Sequence, residues 1–226
     1  MPGLLPLIRK DVTLNWRPAF AMWALYFGAV LVIKTVVPWL VPQTELGAKL
    51  SVMFLPVVLN ANLLAAAWLI EHERGSGTFA LLRTLPVSDR TVVTGKVLVG
   101  AAIQAVGGLL CIGLLLPELL RPDRLPFAIT LLGGLITFGT LSMAARLRLG
   151  TRMGAVAPLL VLLVPFLLLI VLTEAWPAGE AALIHALLSA RFSAIWWAVE
   201  VLVNLALWDW MARWLGSRDT RELVGA

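Results

Sequence analysis

The stretch VVTGKVLVGAAIQAVGGLLCIGLLL, residues 92–116, decides the fold of this chain. Lys96 is its only charged side chain, and Gln104 is the one other strongly polar residue. A helix that crosses the hydrocarbon core of a bilayer needs about 20 consecutive apolar residues. The stretch therefore predicts a transmembrane helix.

The rest of the chain has the same character. Of its 226 residues, 60% are hydrophobic and 14% are charged, whereas a soluble domain has about 45–50% apolar and about 25% charged residues. Apolar stretches of spanning length occur at 18–40, 50–70, 92–116, 125–145, 153–173 and 192–214. We predict an all-α polytopic membrane protein with six transmembrane helices in a single domain, 1–226. No length remains for a separate soluble catalytic domain of about 100–150 residues.

The basic side chains predict the orientation of these spans. The net charge is +5, and 13 of the 18 lysines and arginines fall in segments on one side of the predicted membrane, with five on the other. Since cytoplasmic loops carry the excess of Lys and Arg, both termini are expected in the cytoplasm. Topology and anionic inner-leaflet lipid account for the basic excess, so no nucleic-acid partner is expected. The sequence begins without a signal-peptide pattern, and the first span is expected to direct its own insertion.

Residues 1–17 predict an interfacial helix on the cytoplasmic surface, with its helical pattern over 4–17. One face of this helix is apolar and another is basic and polar. The apolar positions are Leu4, Leu5, Ile8, Val12 and Trp16, and the polar ones are Arg9, Lys10, Thr13 and Arg17. The alternative is a basic topology anchor without a defined helix, because Asp11 and Asn15 interrupt the edges of the apolar face.

The cytoplasmic loop 71–91 has the sequence signals of a structured element. Gly75 and Gly77 permit a tight turn, and Thr78 can cap a short helix over 78–83. Pro86 ends that helix, and Ser88 or Asp89 can cap the third span. Such a helix, held between two spans, suits the transmission of movement from a cytoplasmic partner. A simple hairpin connection resting on lipid headgroups explains the same residues.

The loop also resembles a known motif. The run Glu73-x-x-x-Gly77-Thr78, then Leu81-Leu82-x-Thr84-Leu85-Pro86-Val87-Ser88-x-Arg90, then Gly95-Lys96, is similar to the signature loop of the permease subunits of type-two ATP-binding-cassette (ABC) exporters. Gly75 and Asp89 depart from the usual pattern. The motif covers about 25 residues, and six spans with inward termini extend the similarity in architecture over the whole chain.

The resemblance implies a role and partners. It implies an ABC exporter subunit in the plasma membrane of a prokaryote, docked through a coupling helix on a cytoplasmic ABC ATPase subunit and paired with a second permease subunit, as a homodimer or with a sister permease. The residues implied in ATPase coupling are Glu73, Gly77, Thr78, Phe79, Leu81, Leu82, Arg83, Pro86 and Lys96, with Glu73 and Lys96 as flanking polar anchors. We expect Leu82→Asp to uncouple ATP hydrolysis from export without unfolding the spans.

The chain lacks a phosphate-binding loop of its own. Its only Gly-Lys pair is Gly95-Lys96, with Arg90 at the position of the first glycine and Val97 after the lysine, so the pattern that cradles phosphates is missing. No cofactor is expected on this chain, and ATP and Mg are expected in the partner ATPase. His72 and His185 have no second ligand at metal-binding spacing, and no metal site is expected.

Several polar residues fall within the predicted spans. Glu200 lies about 12 Å from the outer end of the last span, near the midplane, where an ionisable group is by default a functional candidate. Asn204 follows one turn later. The candidates for a translocation path or a subunit interface are Glu200, Asn204, Asn60, Asn62 and Gln104. The alternative is packing alone, with a protonated Glu200 hydrogen-bonded to Asn204 or another span.

The segment 174–191 is expected on the external side, and two alternative functions are considered beside the exporter. The segment is too short to span and is either partly re-entrant, as the resemblance favours, or interfacial. A substrate-capturing subunit of an energy-coupling-factor importer would use Ala24-x-x-x-Gly28 as a docking face, but it does not require the Gly77-Thr78 loop. An intramembrane serine protease needs a nucleophile activated by a base, and neither Ser76 nor Ser142 has one at a suitable place.

Overall fold

The structure, a computed structural model, describes residues 4–40, 68–70, 72–73, 78, 82, 86–175 and 189–217, with the backbone alone for 151–175. Four long helices account for most of this part of the chain. They are α1 (Leu4–Leu40), α2 (Asp89–Leu115), α3 (Leu125–Ala175) and α4 (Ala190–Gly216), with a 3₁₀ turn at Pro117–Leu120 between α2 and α3. Within the described ranges no strand occurs, and the predicted all-α class is confirmed.

Three of the helical segments are long and apolar enough to cross a membrane. They are Asp89–Leu114, Leu125–Gly150 and Ala190–Gly216, and they correspond to the spans predicted at 92–116, 125–145 and 192–214. The predicted spans 18–40 and 153–173 fall on helical backbone within α1 and α3. Most of the predicted span 50–70 lies outside the described residues. By length and composition, these three helices indicate a membrane protein.

The first helix differs from the expectation of two elements. We predicted an interfacial helix over 4–17 followed by a span, whereas α1 runs without interruption through residue 17. Asn15 could have capped a new helix at this point, but its Nδ2 donates to the backbone oxygen of Asp11, 2.7 Å away within the same helix. At about 1.5 Å per residue α1 is about 55 Å long, which exceeds the hydrocarbon core of about 30 Å. One helix therefore contains both predicted segments.

The start of α2 is fixed by a serine cap. The Oγ of Ser88 accepts a hydrogen bond from the backbone N–H of Thr91, 3.2 Å away, and Ser88 itself is extended, as an N-cap residue should be. Asp89 follows in the first turn, where a negative charge is favourable. Of the two capping residues that the sequence allowed, the structure selects Ser88.

A break at Gly150 divides α3 into two helical segments. Gly150 has φ of 79° and ψ of −177°, a backbone conformation that is essentially restricted to glycine. The chain can turn there and begin a second helix without a loop. The connection predicted between the fourth and fifth apolar stretches is therefore reduced to this one residue.

We expect Gly150→Ala to destabilise the protein by about 1–3 kcal/mol, because alanine would be held in a conformation that its Cβ disfavours. Gly113→Ala is the matched control, since Gly113 lies inside α2 with no atom within 4 Å of an added Cβ. That change should be neutral or slightly stabilising. Unfolding by sodium dodecyl sulphate (SDS) in mixed micelles, followed by tryptophan fluorescence, gives both values, and equal effects would contradict the strain at Gly150.

The helices converge on one well-packed end. α2 packs against α1, α3 and α4, and the contact between α3 and α4 is the most extensive. The buried cluster at this end includes residues from every helix and from the segment before α2, namely Leu7, Leu69, Leu82, Val93, Met143, Leu147, Met211 and Leu215. Nearby, an ion pair between Arg90 and Asp209, 3.7 Å apart, joins the start of α2 to the last turns of α4. The described residues of this cluster, which are predicted to lie near the cytoplasmic side, are thus gathered at one end.

Candidate functional site

A cluster of four charged side chains, three of them buried, joins α1, α2 and the segment that precedes α2. Lys96 Nζ lies 3.0 Å from Asp11 Oδ2 and 2.7 Å from Glu73 Oε2. Lys10 pairs with the other oxygen of Glu73 and lies 3.6 Å from Asp11 Oδ1. We call these four residues, Lys10, Asp11, Glu73 and Lys96, the ionic cluster. Its two positive and two negative charges cancel.

Burial makes the ionic cluster costly to form, because its charges lose their contact with water. The side chains of Lys96, Asp11 and Glu73 are 5%, 3% and 4% exposed, and Lys10 is 31% exposed. Desolvating a charge costs several kcal/mol, and only close opposite charges with good geometry offset that cost. The cluster consequently links three parts of the chain, and its three buried members depend on one another.

The face that α1 turns inward explains how the cluster forms. Leu7, Asp11, Asn15 and Ala19 recur every four residues and are all buried, whereas Leu5, Val12 and Trp16 of the predicted apolar face are exposed. The two polar residues that seemed to interrupt the apolar face therefore belong to the face that packs on α2. The exposed apolar face remains available to lipid, as an interfacial segment requires.

The predicted cytoplasmic coupling loop 71–91, which we call the coupling segment, is anchored at two of its described residues. Glu73 is held by the ionic cluster, and Leu82 is 5% exposed within the buried cluster of the helix bundle. Thr78 is helical and half-buried, and Pro86 is exposed. Gly77, Phe79, Leu81 and Arg83 lie outside the described residues. The burial of Leu82 changes one expectation, because an aspartate at this position would disturb the packing of the bundle as well as any docking.

Glu200 lies in the contact between α4 and α3. The residue is 4% exposed, and a Cβ added at Gly133 would collide with its Oε2. The absence of a side chain at Gly133 therefore provides the space for this carboxylate. Neither carboxylate oxygen has a well-formed hydrogen bond to a described residue, and the side chain of Trp196, four residues earlier, is the neighbouring donor.

Asn204 is held in place by its own hydrogen bonds. Its Nδ2 donates to Thr137 Oγ1 at 2.6 Å and to the backbone oxygen of Glu200 at 2.8 Å. Thr137 in turn donates to the backbone oxygen of Gly133 at 3.0 Å. The Oδ1 of Asn204 has no hydrogen-bond donor among the described residues. The Asn204 side chain thus bonds to the backbone oxygen of Glu200 and not to its carboxyl, so the alternative bond predicted between the two side chains is not formed.

A cavity of about 470 Å³ lies beside these two residues, between α2, α3 and α4. Most of its wall is apolar, and two indoles, Trp197 and Trp208, contribute to it. The Nε1 of Trp208 donates to Thr94 Oγ1 at 3.0 Å across the cavity wall. We call this space the Glu200 cavity. Its volume lies in the range of about 300–1,000 Å³ that is usual for small-molecule sites.

The remaining candidates are placed elsewhere or lie outside the described residues. Gln104 is completely buried, and its side chain packs against Gly139 of α3, where an added Cβ would stand 2.7 Å from its Cγ. It makes a contact between helices and does not line the Glu200 cavity. Asn60 and Asn62, and most of the external segment 174–191, are not among the described residues.

Sequence reasoning missed two members of the ionic cluster, Asp11 and Lys10, and the glycine that accommodates Glu200. A usable signal existed for Asp11, since Leu7, Asp11, Asn15 and Ala19 form a stripe at helical spacing. The pair Gly133-Gly134 in an apolar helix was a similar signal of close packing. Lys10 had no distinguishing signal in the sequence.

Comparison with known proteins adds no assignment to this geometry. No protein-family model, no curated protein and no solved structure matches the chain.

Proposed function

We propose that this chain is the transmembrane subunit of an ATP-driven ABC exporter, coupled through residues 78–83 to a separate cytoplasmic ATPase. The loop residues Glu73 to Lys96 that resemble the exporter signature carry the proposal. The structural observation that supports it most is the tie between Glu73 and Lys96, because the two residues that the resemblance marks as polar anchors are 2.7 Å apart.

The anchoring of the coupling segment suits the transfer of force. The ionic cluster fixes Glu73 to α1 and α2, and Leu82 packs in the bundle core. A movement imposed on residues between these two anchors would pass directly to the helices, whereas a free loop would absorb it. Two-state movement of packed elements is the physical basis of such coupling.

The proposal also includes the arrangement of the chain in the membrane. It comprises six spans, both termini in the cytoplasm and a second permease subunit, identical or related, that completes a path across a prokaryotic plasma membrane. The gathering of Lys10, Arg90, Lys96 and Arg213 at one end of the bundle is consistent with a single cytoplasmic side. An energy-coupling-factor subunit or a serine protease would leave the anchored segment without a purpose.

The proposal is tested by charge reversal in the coupling segment. Arg83→Glu should lower retention of the partner ABC ATPase by about tenfold, which corresponds to about 1.4 kcal/mol. The assay is co-purification of the two full-length chains in nanodiscs, together with ATP hydrolysis by the complex. Hydrolysis stimulated by the membrane subunit should fall in parallel.

Arg191→Glu is the matched control for this experiment. Arg191 is exposed in the first turn of α4, on the side predicted to be external, and a negative charge there is compatible with the helix dipole. It should retain the ATPase like the wild type. Equal retention and equal hydrolysis in the two variants and the wild type would refute docking through 78–83.

A further inference from the structure

Two residues that line the Glu200 cavity have buried acceptor atoms without a well-formed hydrogen bond, while the donors of Thr94, Asn204 and Trp208 are used within the protein. Thr94 donates to the backbone oxygen of Arg90 and accepts from Trp208. The amide hydrogens of Asn204 are taken by Thr137 and the Glu200 backbone. What remains is the carboxylate of Glu200 and the Oδ1 of Asn204, both buried and without a well-formed hydrogen bond in the described part of the chain.

The two acceptors without well-formed hydrogen bonds indicate which chemical class of ligand the cavity favours. A ligand that supplies N–H donors and a positive charge would satisfy both acceptors, which lie one helical turn apart. The apolar wall would cover the body of such a ligand, and the indole faces of Trp197 and Trp208 attract cations. An anion or a pure acceptor would face the Glu200 carboxylate without compensation. Among the described residues that line the cavity there is no lysine or arginine.

We propose that the Glu200 cavity binds an apolar molecule carrying a protonated amine, with Glu200 and Asn204 accepting hydrogen bonds from the ammonium group. This deepens the proposed function by naming a chemical class of substrate, and it rests on that function only where binding is followed by transport. The binding itself belongs to this chain and needs no ATPase.

The depth and the opening of the cavity fit such a ligand. Glu200 stands ten residues after the start of α4, about 15 Å along the helix, too deep for the ammonium of a lipid headgroup in its usual position. Leu98, Trp197 and Leu205 in the wall are about half exposed, so the cavity opens at the side of the helix bundle. An amphiphilic amine dissolved in the bilayer can enter by that route.

The test measures binding of 1-naphthylmethylammonium to the full-length chain in phosphatidylcholine nanodiscs by calorimetry, with empty nanodiscs subtracted. This lipid carries no primary ammonium. We expect saturable binding to the wild type and an affinity that is about 30-fold lower in Glu200→Gln. Naphthalenemethanol, a neutral probe of the same shape, should bind the wild type as weakly as the cation binds Glu200→Gln. No saturable binding to the wild type, or equal affinities for the cation and the alcohol, would overturn the proposal.

Two further variants separate site occupancy from folding. Val201→Trp places an indole in the wall, fills the cavity and should abolish binding of both probes. Leu202→Trp, at the neighbouring exposed position outside the cavity, should leave binding unchanged. Glu200→Gln should unfold in SDS no earlier than the wild type, because it removes a buried charge. Wild-type cation affinity in folded Glu200→Gln would show that the carboxylate serves packing alone and would refute the amine site. It would leave the ATPase retention test untouched.

Discussion

Lys96→Met should destabilise the protein by about 3–5 kcal/mol, because the change leaves buried carboxylates without their main cation. Asp11 and Glu73 are 3% and 4% exposed, and Lys96 is the one cation that contacts both from a buried position in the described structure. Methionine keeps the length and most of the apolar volume of the lysine. The loss therefore reports the charge, and SDS unfolding in mixed micelles measures it.

Lys10→Met provides the control for that measurement. Lys10 contacts the same two carboxylates, but its side chain is 31% exposed, so solvent screens the pair and the expected loss is below about 1 kcal/mol. If the two variants lost the same stability, burial would not be the reason for the effect of Lys96→Met.

A triple variant, Asp11→Leu with Glu73→Met and Lys96→Met, tests the same physics from the other direction. Removing both acids along with the lysine leaves no uncompensated buried charge, and apolar replacement of a buried ion pair is often neutral or stabilising. We expect this variant to recover most of the stability lost in Lys96→Met. Such a chain, stable but without its ionic tie, would show whether the tie itself is needed for coupling.

The elements that the sequence predicted well are those with local signals. Three of the predicted apolar stretches form long helices. Ser88 caps α2, as its position before the apolar run indicates. The shared face of Glu200 and Asn204 follows from their spacing of four residues. Each of these depends on neighbours along the chain, which the sequence displays directly.

The elements that it did not predict depend on contacts between distant residues. Lys96 meets Asp11 across 85 positions, and Asn204 meets Thr137 across 67. Spacing within one helix cannot indicate which face meets another helix, and the polar stripe of Asp11 and Asn15 was therefore read as an interruption. Glu73 and Lys96 were singled out through the resemblance alone, without an indication that they touch. The cavity exists only where three helices meet, so no single stretch of sequence could reveal it.

Leu82→Asp should destabilise the protein by about 4 kcal/mol or more, since it deletes a buried leucine and buries an unpaired carboxylate. Leu82 is 5% exposed and belongs to the same buried cluster as Leu7, Met143 and Leu215. The sequence alone suggested that this change would disconnect the ATPase and spare the spans. The packing indicates that it does both, so a loss of transport in this variant would not identify a docking site.

Two matched variants separate the contributions at Leu82. Leu82→Met keeps the apolar volume and should cost below about 1.5 kcal/mol, while Pro86→Asp introduces the same charge at an exposed position of the same segment and should change stability by no more than about 0.5 kcal/mol. Their SDS unfolding curves are compared with that of Leu82→Asp. If Leu82→Asp were as stable as Pro86→Asp, the leucine would not anchor the coupling segment. If it is unstable and Leu82→Met retains the ATPase, packing at Leu82 fixes the segment in place and docking depends on residues beside it.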